Sequence, residues 1–113
     1  MRMNKVTCLL TALFAASLLN GCSTLQAGKL IAPSYFGMDQ IAPGVYLEAG
    51  ADDASKTVLV AAMVRAQQAV RQTYGSVVSQ PVVHACLSES CYTEFGGRGS
   101  VAKIYGNQIL LSP

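Results

Sequence analysis

The sequence predicts an α+β domain: one long helix packed on a small, mainly antiparallel sheet, in the order β-α-β-β-β. Three observations predict it. Residues 54–74 contain no Gly or Pro and repeat apolar side chains at helical spacing. Short apolar runs, VYLEA, PVVHACL, VAKIY and QILLS, flank that helix on both sides and are bounded by Gly, Pro or Ser. Gly106-Asn107 separates the last two runs by the two residues that suit a hairpin.

The first strand is read over residues 45–49, alternating between Gly44 and Gly50. Asp52 or Asp53 then offers an N-cap, and acid in a first turn complements the helix dipole. Along the helix, Leu59, Ala62, Met63, Ala66, Ala69, Val70 and Tyr74 form one stripe, and Gly75 stands where a C-terminus favours glycine. Alanines on that stripe imply close packing on the sheet. The second strand covers residues 81–87, with Val83, Ala85 and Leu87 on one face and Val82, His84 and Cys86 on the other. In the final hairpin Tyr105 pairs with Gln108 and Ile104 with Ile109. The face with Ala102, Ile104, Ile109 and Leu111 is then expected to be buried, and the face with Lys103, Tyr105 and Gln108 wetter.

Ahead of this domain, over residues 45–113, stand two segments of other character. Residues 1–21 read as a cleaved export signal: Arg2 and Lys5, then an uncharged apolar run over residues 6–19, shorter than the roughly 20 residues a bilayer-spanning helix needs. Residues 22–44 read as an N-terminus and tether, in which Tyr35, Phe36, Met38 and Ile41 could pack onto the domain. Removing 21 of 113 residues leaves 92, one small domain, which excludes a multidomain enzyme or a doubly wound dinucleotide-binding fold. It also removes two of the eight basic residues, leaving six bases against six acids with no basic stripe. That excludes a nucleic-acid partner.

The signal ends in Leu19-Asn20-Gly21-Cys22, which resembles the bacterial lipobox. The resemblance implies that the Cys22 thiol takes a diacylglycerol by a thioether bond, that cleavage falls before Cys22, and that the new amine is acylated. The chain would then be held in a membrane by its covalent lipid (palmitate and related acyl groups). Ser23 follows the cysteine where Asp would favour retention in the inner membrane. The outer membrane is therefore expected, with the domain in the periplasm. Cys8, inside the apolar run, would leave with the signal.

Cys86 and Cys91 are expected to form a structural disulfide, which persists in an oxidising compartment. Their spacing is not the Cys-x-x-Cys of a redox enzyme. His84, Cys86 and Cys91 could approach a metal set, but a closed zinc site needs a fourth ligand and the chain has no second His. No metal or cofactor is expected, and His84 reads as a partly buried sheet residue. Phe95-Gly96-Gly97-Arg98-Gly99-Ser100 lacks the Gly-Lys-Ser/Thr of a phosphate loop and reads as a flexible connector. No nucleophile elbow and no carboxylate pair at a catalytic spacing occur, so no catalytic residue is assigned.

The stretches GVYLEAG, YGSVVSQPVVHAC, CYTEFGGRG and AKIYGNQILLSP are similar to a group of exported bacterial proteins. Longer members of that group continue past Leu-Ser-Pro into a helix with His-Glu-x-x-His, in which two His hold zinc and the Glu activates water. This sequence has no such motif, so the resemblance implies the scaffold alone. Three functions follow as expectations. The first is a non-catalytic cell-envelope lipoprotein anchored through Cys22. The second is a shortened, inactive relative of a metallopeptidase-like protein, its frame ending where the hairpin finishes at Pro113. The third is an envelope assembly or pilot module that binds a partner protein.

Overall fold

The computed structural model describes residues 25–26, 28–76 and 79–113. The expected signal over residues 1–21 and the expected lipidation site, Cys22, lie outside the described residues. Over residues 38–113 the described elements are β1 (Met38–Ala42), β2 (Val45–Glu48), α1 (Asp53–Tyr74), β3 (Val82–Ala85), α2 (Glu89–Glu94), β4 (Ala102–Tyr105) and β5 (Gln108–Leu111). Two 3-10 turns, Lys29–Ile31 and Pro33–Phe36, precede them. The α+β class and, among the described residues, one long helix are as the sequence predicts.

One five-stranded sheet has the order β1-β2-β3-β5-β4. The two flanking pairs, β1–β2 and β4–β5, are antiparallel hairpins. The two inner pairs, β2–β3 and β3–β5, are parallel. Parallel neighbours need a long crossover, and α1 supplies it between β2 and β3. The hairpin register is the predicted one, Tyr105 opposite Gln108 and Ile104 opposite Ile109. Gly106 takes a φ of 58° in that turn, a left-handed value that a side chain would disfavour. The turn is pinned to the start of β3, because the Asn107 carbonyl accepts the Val82 N–H at 2.9 Å.

α1 is capped at both ends by the residues that signal it. The Asp52 carboxylate accepts the Ser55 N–H at 2.7 Å. Gly75, at φ 79°, donates its N–H to the Arg71 carbonyl at 2.8 Å.

Four expectations are corrected. First, the stretch over residues 22–44 is not only a tether: Leu30 and Met38 are buried in the core, and residues 38–42 form the edge strand β1. The signal was hidden because Asp39 and Gln40 break the apolar pattern while Met38, next to Gly37, is the residue that turns inward. Second, the predicted order β-α-β-β-β gains a second helix, α2, between β3 and the final hairpin. Ser88 caps it, its hydroxyl accepting the Cys91 N–H at 3.1 Å. Third, the two sheet faces exchange roles at the final hairpin. Ile104 is 73% exposed and Ala102 is exposed, whereas Leu110, on the face read as wetter, is fully buried. A helix about 10 Å across covers roughly two strands spaced by about 4.8 Å, so α1 leaves the edge strand β4 bare. The opposite face is covered by α2 and the N-terminal turns, which bring Leu30, Tyr92 and Phe95 against Leu110, with Tyr46 and Tyr105 packed alongside. Fourth, His84 is wholly buried rather than partly so.

Candidate functional site

The helix stripe meets the sheet loosely. Leu59, Ala62 and Met63 are half-buried, but Ala66, Ala69, Val70 and Tyr74 are exposed, and no α1 side chain is fully buried. Between the C-terminal half of α1 and the sheet lies a cleft of about 280 Å³. Met63, Ala66 and Val70 line it from the helix, and Val83, Ile109 and Leu111 from β3 and β5. Gln67, Ser79 and Gln80 are its polar neighbours. The short side chain at position 66 leaves the space. No His, Cys or carboxylate is among the lining residues. Such a cleft can hold a bulky apolar group but offers neither a general base nor a nucleophile.

The residues with chemical potential are instead committed to holding the opposite layer. His84 stacks on Tyr46, with ring centroids 5.3 Å apart and planes 9° from parallel. Its Nε2 lies 3.1 Å from the Leu30 carbonyl and its Nδ1 3.4 Å from the Ile109 carbonyl. Desolvation lowers the imidazole pKa; the two carbonyls act the other way and do not offset it.

Cys86 and Cys91 are joined by a disulfide with Cα atoms 5.6 Å apart, linking the end of β3 to α2. Directly beside it, Glu48 accepts the Leu87 N–H at 2.6 Å, the Ser88 N–H at 2.8 Å and the Ser88 hydroxyl at 2.7 Å. Burial pushes the Glu48 carboxyl upward, but the Ser88 hydroxyl and the two amides together hold it below its ordinary range. Glu94 is paired with Lys29, and Asp52 is spent on the helix cap. Glu48, Glu94 and Asp52 are thus structural partners and do not converge on a common site. Among the described residues, no three or more His, Cys, Asp or Glu gather as a metal set.

The glycine-rich stretch is a packed connector. Gly96 and Gly97 spend their amides on the Thr93 and Tyr92 carbonyls. The Gly96 carbonyl accepts from Lys103 Nζ and from the Tyr105 hydroxyl, both at 3.2 Å. The Gly96 and Gly97 amides are therefore not offered to an anion. Gly97 is buried against the Tyr92 ring, and a Cβ at that position would overlap the ring atoms. The sequence shows the glycines but not that Tyr92, five residues earlier, requires one of them.

Comparison with known protein families, curated proteins and solved structures finds no match. Among the described residues, no helix is long and apolar enough to cross a membrane.

Proposed function

We propose that this protein is a bacterial cell-envelope lipoprotein without a catalytic role, exported by residues 1–21 and anchored by acylated Cys22, with its domain in the periplasm at the outer membrane. Leu19-Asn20-Gly21-Cys22 at the end of an uncharged apolar run carries this reading. The Cys86–Cys91 disulfide supports it, because such bonds persist in oxidising compartments. Each buried methylene contributes about 0.8 kcal/mol, and two or more acyl chains give durable attachment. The test is incorporation of labelled palmitate in the host cell. Label and membrane association should both be lost in Cys22→Ser, and label that survives the substitution overturns the anchor at this site. Density fractionation of the two membranes tests the outer-membrane assignment.

A second reading, a module that docks a partner protein, is favoured by the open apolar cleft between α1 and the sheet. A photocrosslinking side chain placed at Val70 should give a discrete adduct in intact cells, and one placed at the solvent-facing Thr57 should not. Equal behaviour at the two positions overturns the reading.

A further inference from the structure

The distance between the anchoring cysteine and the first packed residue limits where the domain can sit. Gln26 is already part of the domain: a Cβ built on Gly96 would lie 3.4 Å from the Gln26 Cβ. Leu30, four residues on, is 2% exposed, and its carbonyl faces His84 Nε2 at 3.1 Å. Only four peptide units separate Cys22 from Gln26. Fully extended they span at most about 14 Å. A lipid-bound Cys22 sits in the headgroup layer, itself about 5–7 Å deep on each side of the hydrocarbon. The domain is therefore held within about 14 Å of the bilayer surface.

The first described residues after that attachment leave large apolar side chains exposed. Ile31 is 83% exposed, Tyr35 88% and Phe36 44%, and Leu25 is also exposed. Leu25, Lys29 and Phe36 border one shallow depression. Lys29 Nζ lies 5.2 Å from the Phe36 ring centre and is paired with Glu94, so the cation brings no uncompensated charge to this surface. Neither 3-10 turn needs these side chains for the core, which uses Leu30 and Pro33 instead. Large apolar and aromatic side chains left outward beside a lipid anchor suit the membrane–water interface, where a ring has one apolar side and one wet one.

We infer that the two N-terminal 3-10 turns form a membrane-resting surface, with Leu25, Ile31, Tyr35 and Phe36 lying at headgroup depth and fixing the orientation of the domain on the bilayer. Their occupant is a phospholipid surface. Because Lys29 is neutralised, contact depends on buried apolar area and not on anionic lipid. This inference rests on acylation of Cys22.

The chain contains no Trp, so a single introduced indole reports its own site. Acylated Tyr35→Trp and Tyr74→Trp proteins are purified from membranes and reconstituted into phosphatidylcholine vesicles carrying a shallow doxyl label. Both positions are highly exposed, and Tyr74 ends α1, which packs on the sheet face opposite the one Leu30 covers. The indole at position 35 should be blue-shifted and quenched roughly twofold or more relative to that at position 74, as expected for a ring at the interface. Replacing a third of the lipid with phosphatidylglycerol should leave the ratio unchanged. If the proteins carry lipid and float with the vesicles but both indoles are quenched equally or not at all, the resting surface is overturned and the anchor stands. If the proteins carry no lipid and do not float, the anchor is overturned and the inference falls with it.

Discussion

His84 Nε2 and the Leu30 carbonyl lie 3.1 Å apart across 54 residues of sequence, tying the N-terminal turns to the central strand β3. A carbonyl can only accept, so a neutral ring, with its one N–H, donates to one of its two carbonyl neighbours, Leu30 or Ile109. The other carbonyl then faces a bare ring nitrogen. Protonation would satisfy both carbonyls, yet the cost of charging a ring buried between Tyr46 and the core exceeds that gain.

The first prediction follows from this. Desolvation lowers His84 from its ordinary 6.5, so the unfolded chain takes up a proton before the native state does. Stability is therefore full above about pH 6.5 and falls as the pH drops from there through the native value. Glu48 and Asp52 are lowered from 4.5 and 3.8, and their contributions are lost only at more acid pH. Thermal unfolding between about pH 7 and pH 5 should show a falling Tm, and His84→Phe should flatten the slope. A slope retained in that variant would assign it to another group.

Glu48→Ala removes the acceptor of three hydrogen bonds that position Leu87 and Ser88. Bonds to a charged, part-solvated acceptor support a loss of about 1–3 kcal/mol. It should appear as a lower urea midpoint at neutral pH. The difference from the parent chain should shrink as acid protonates Glu48 through its lowered pKa.

Reduction of the Cys86–Cys91 disulfide, or Cys86→Ser with Cys91→Ser, opens a six-residue loop. On the chain-entropy relation this costs about 2 kcal/mol. Urea unfolding with and without reductant measures it, and the serine pair should be insensitive to reductant.

Gly97→Ala forces a methyl group into the Tyr92 ring, whose hydroxyl is held 2.7 Å from the Ser100 carbonyl. Overpacking of this kind costs about 1–3 kcal/mol. Gly28→Ala meets nothing within 4 Å and serves as the contrast, with a change within about 0.5 kcal/mol. Equal losses in the two variants would contradict the packing role of Gly97.

Ala66→Leu extends a side chain into the cleft between α1 and the sheet, which is about 280 Å³. Partial burial of the added methylenes should raise stability by about 1 kcal/mol. The same substitution should abolish crosslinking from position 70 if the cleft seats a partner, so one variant separates a packing defect from a binding site.

Much of the fold was legible. The caps of α1 are side-chain and glycine chemistry confined to a few adjacent residues, and Asp52 and Gly75 announce them directly. The Gly106-Asn107 hairpin is equally local, and its register followed from the turn length. By contrast β1 was hidden, because an edge strand buries few of its side chains and Met38–Ala42 buries Met38 alone. The burial of His84 was understated for a related reason. Its shielding comes from Leu30 and Tyr46, which only the folded chain brings to it. The apolar cleft was not legible at all, since it depends on how far α1 stands from the sheet.

The sequence by itself determined the α+β class, the extent of α1, the hairpin register and the Cys86–Cys91 pairing. Each of these is decided by residues close together in the chain, through capping, turn geometry or a short loop. The tertiary structure decided what each sheet face packs against. Both faces of β3 and β5 carry apolar residues, so periodicity alone could not choose between them. One helix is too narrow to cover five strands. The face opposite α1, covered by α2 together with Leu30 and Met38, therefore holds a closed cluster of buried side chains, while α1 lies over an open cleft and leaves Ile104 in solvent.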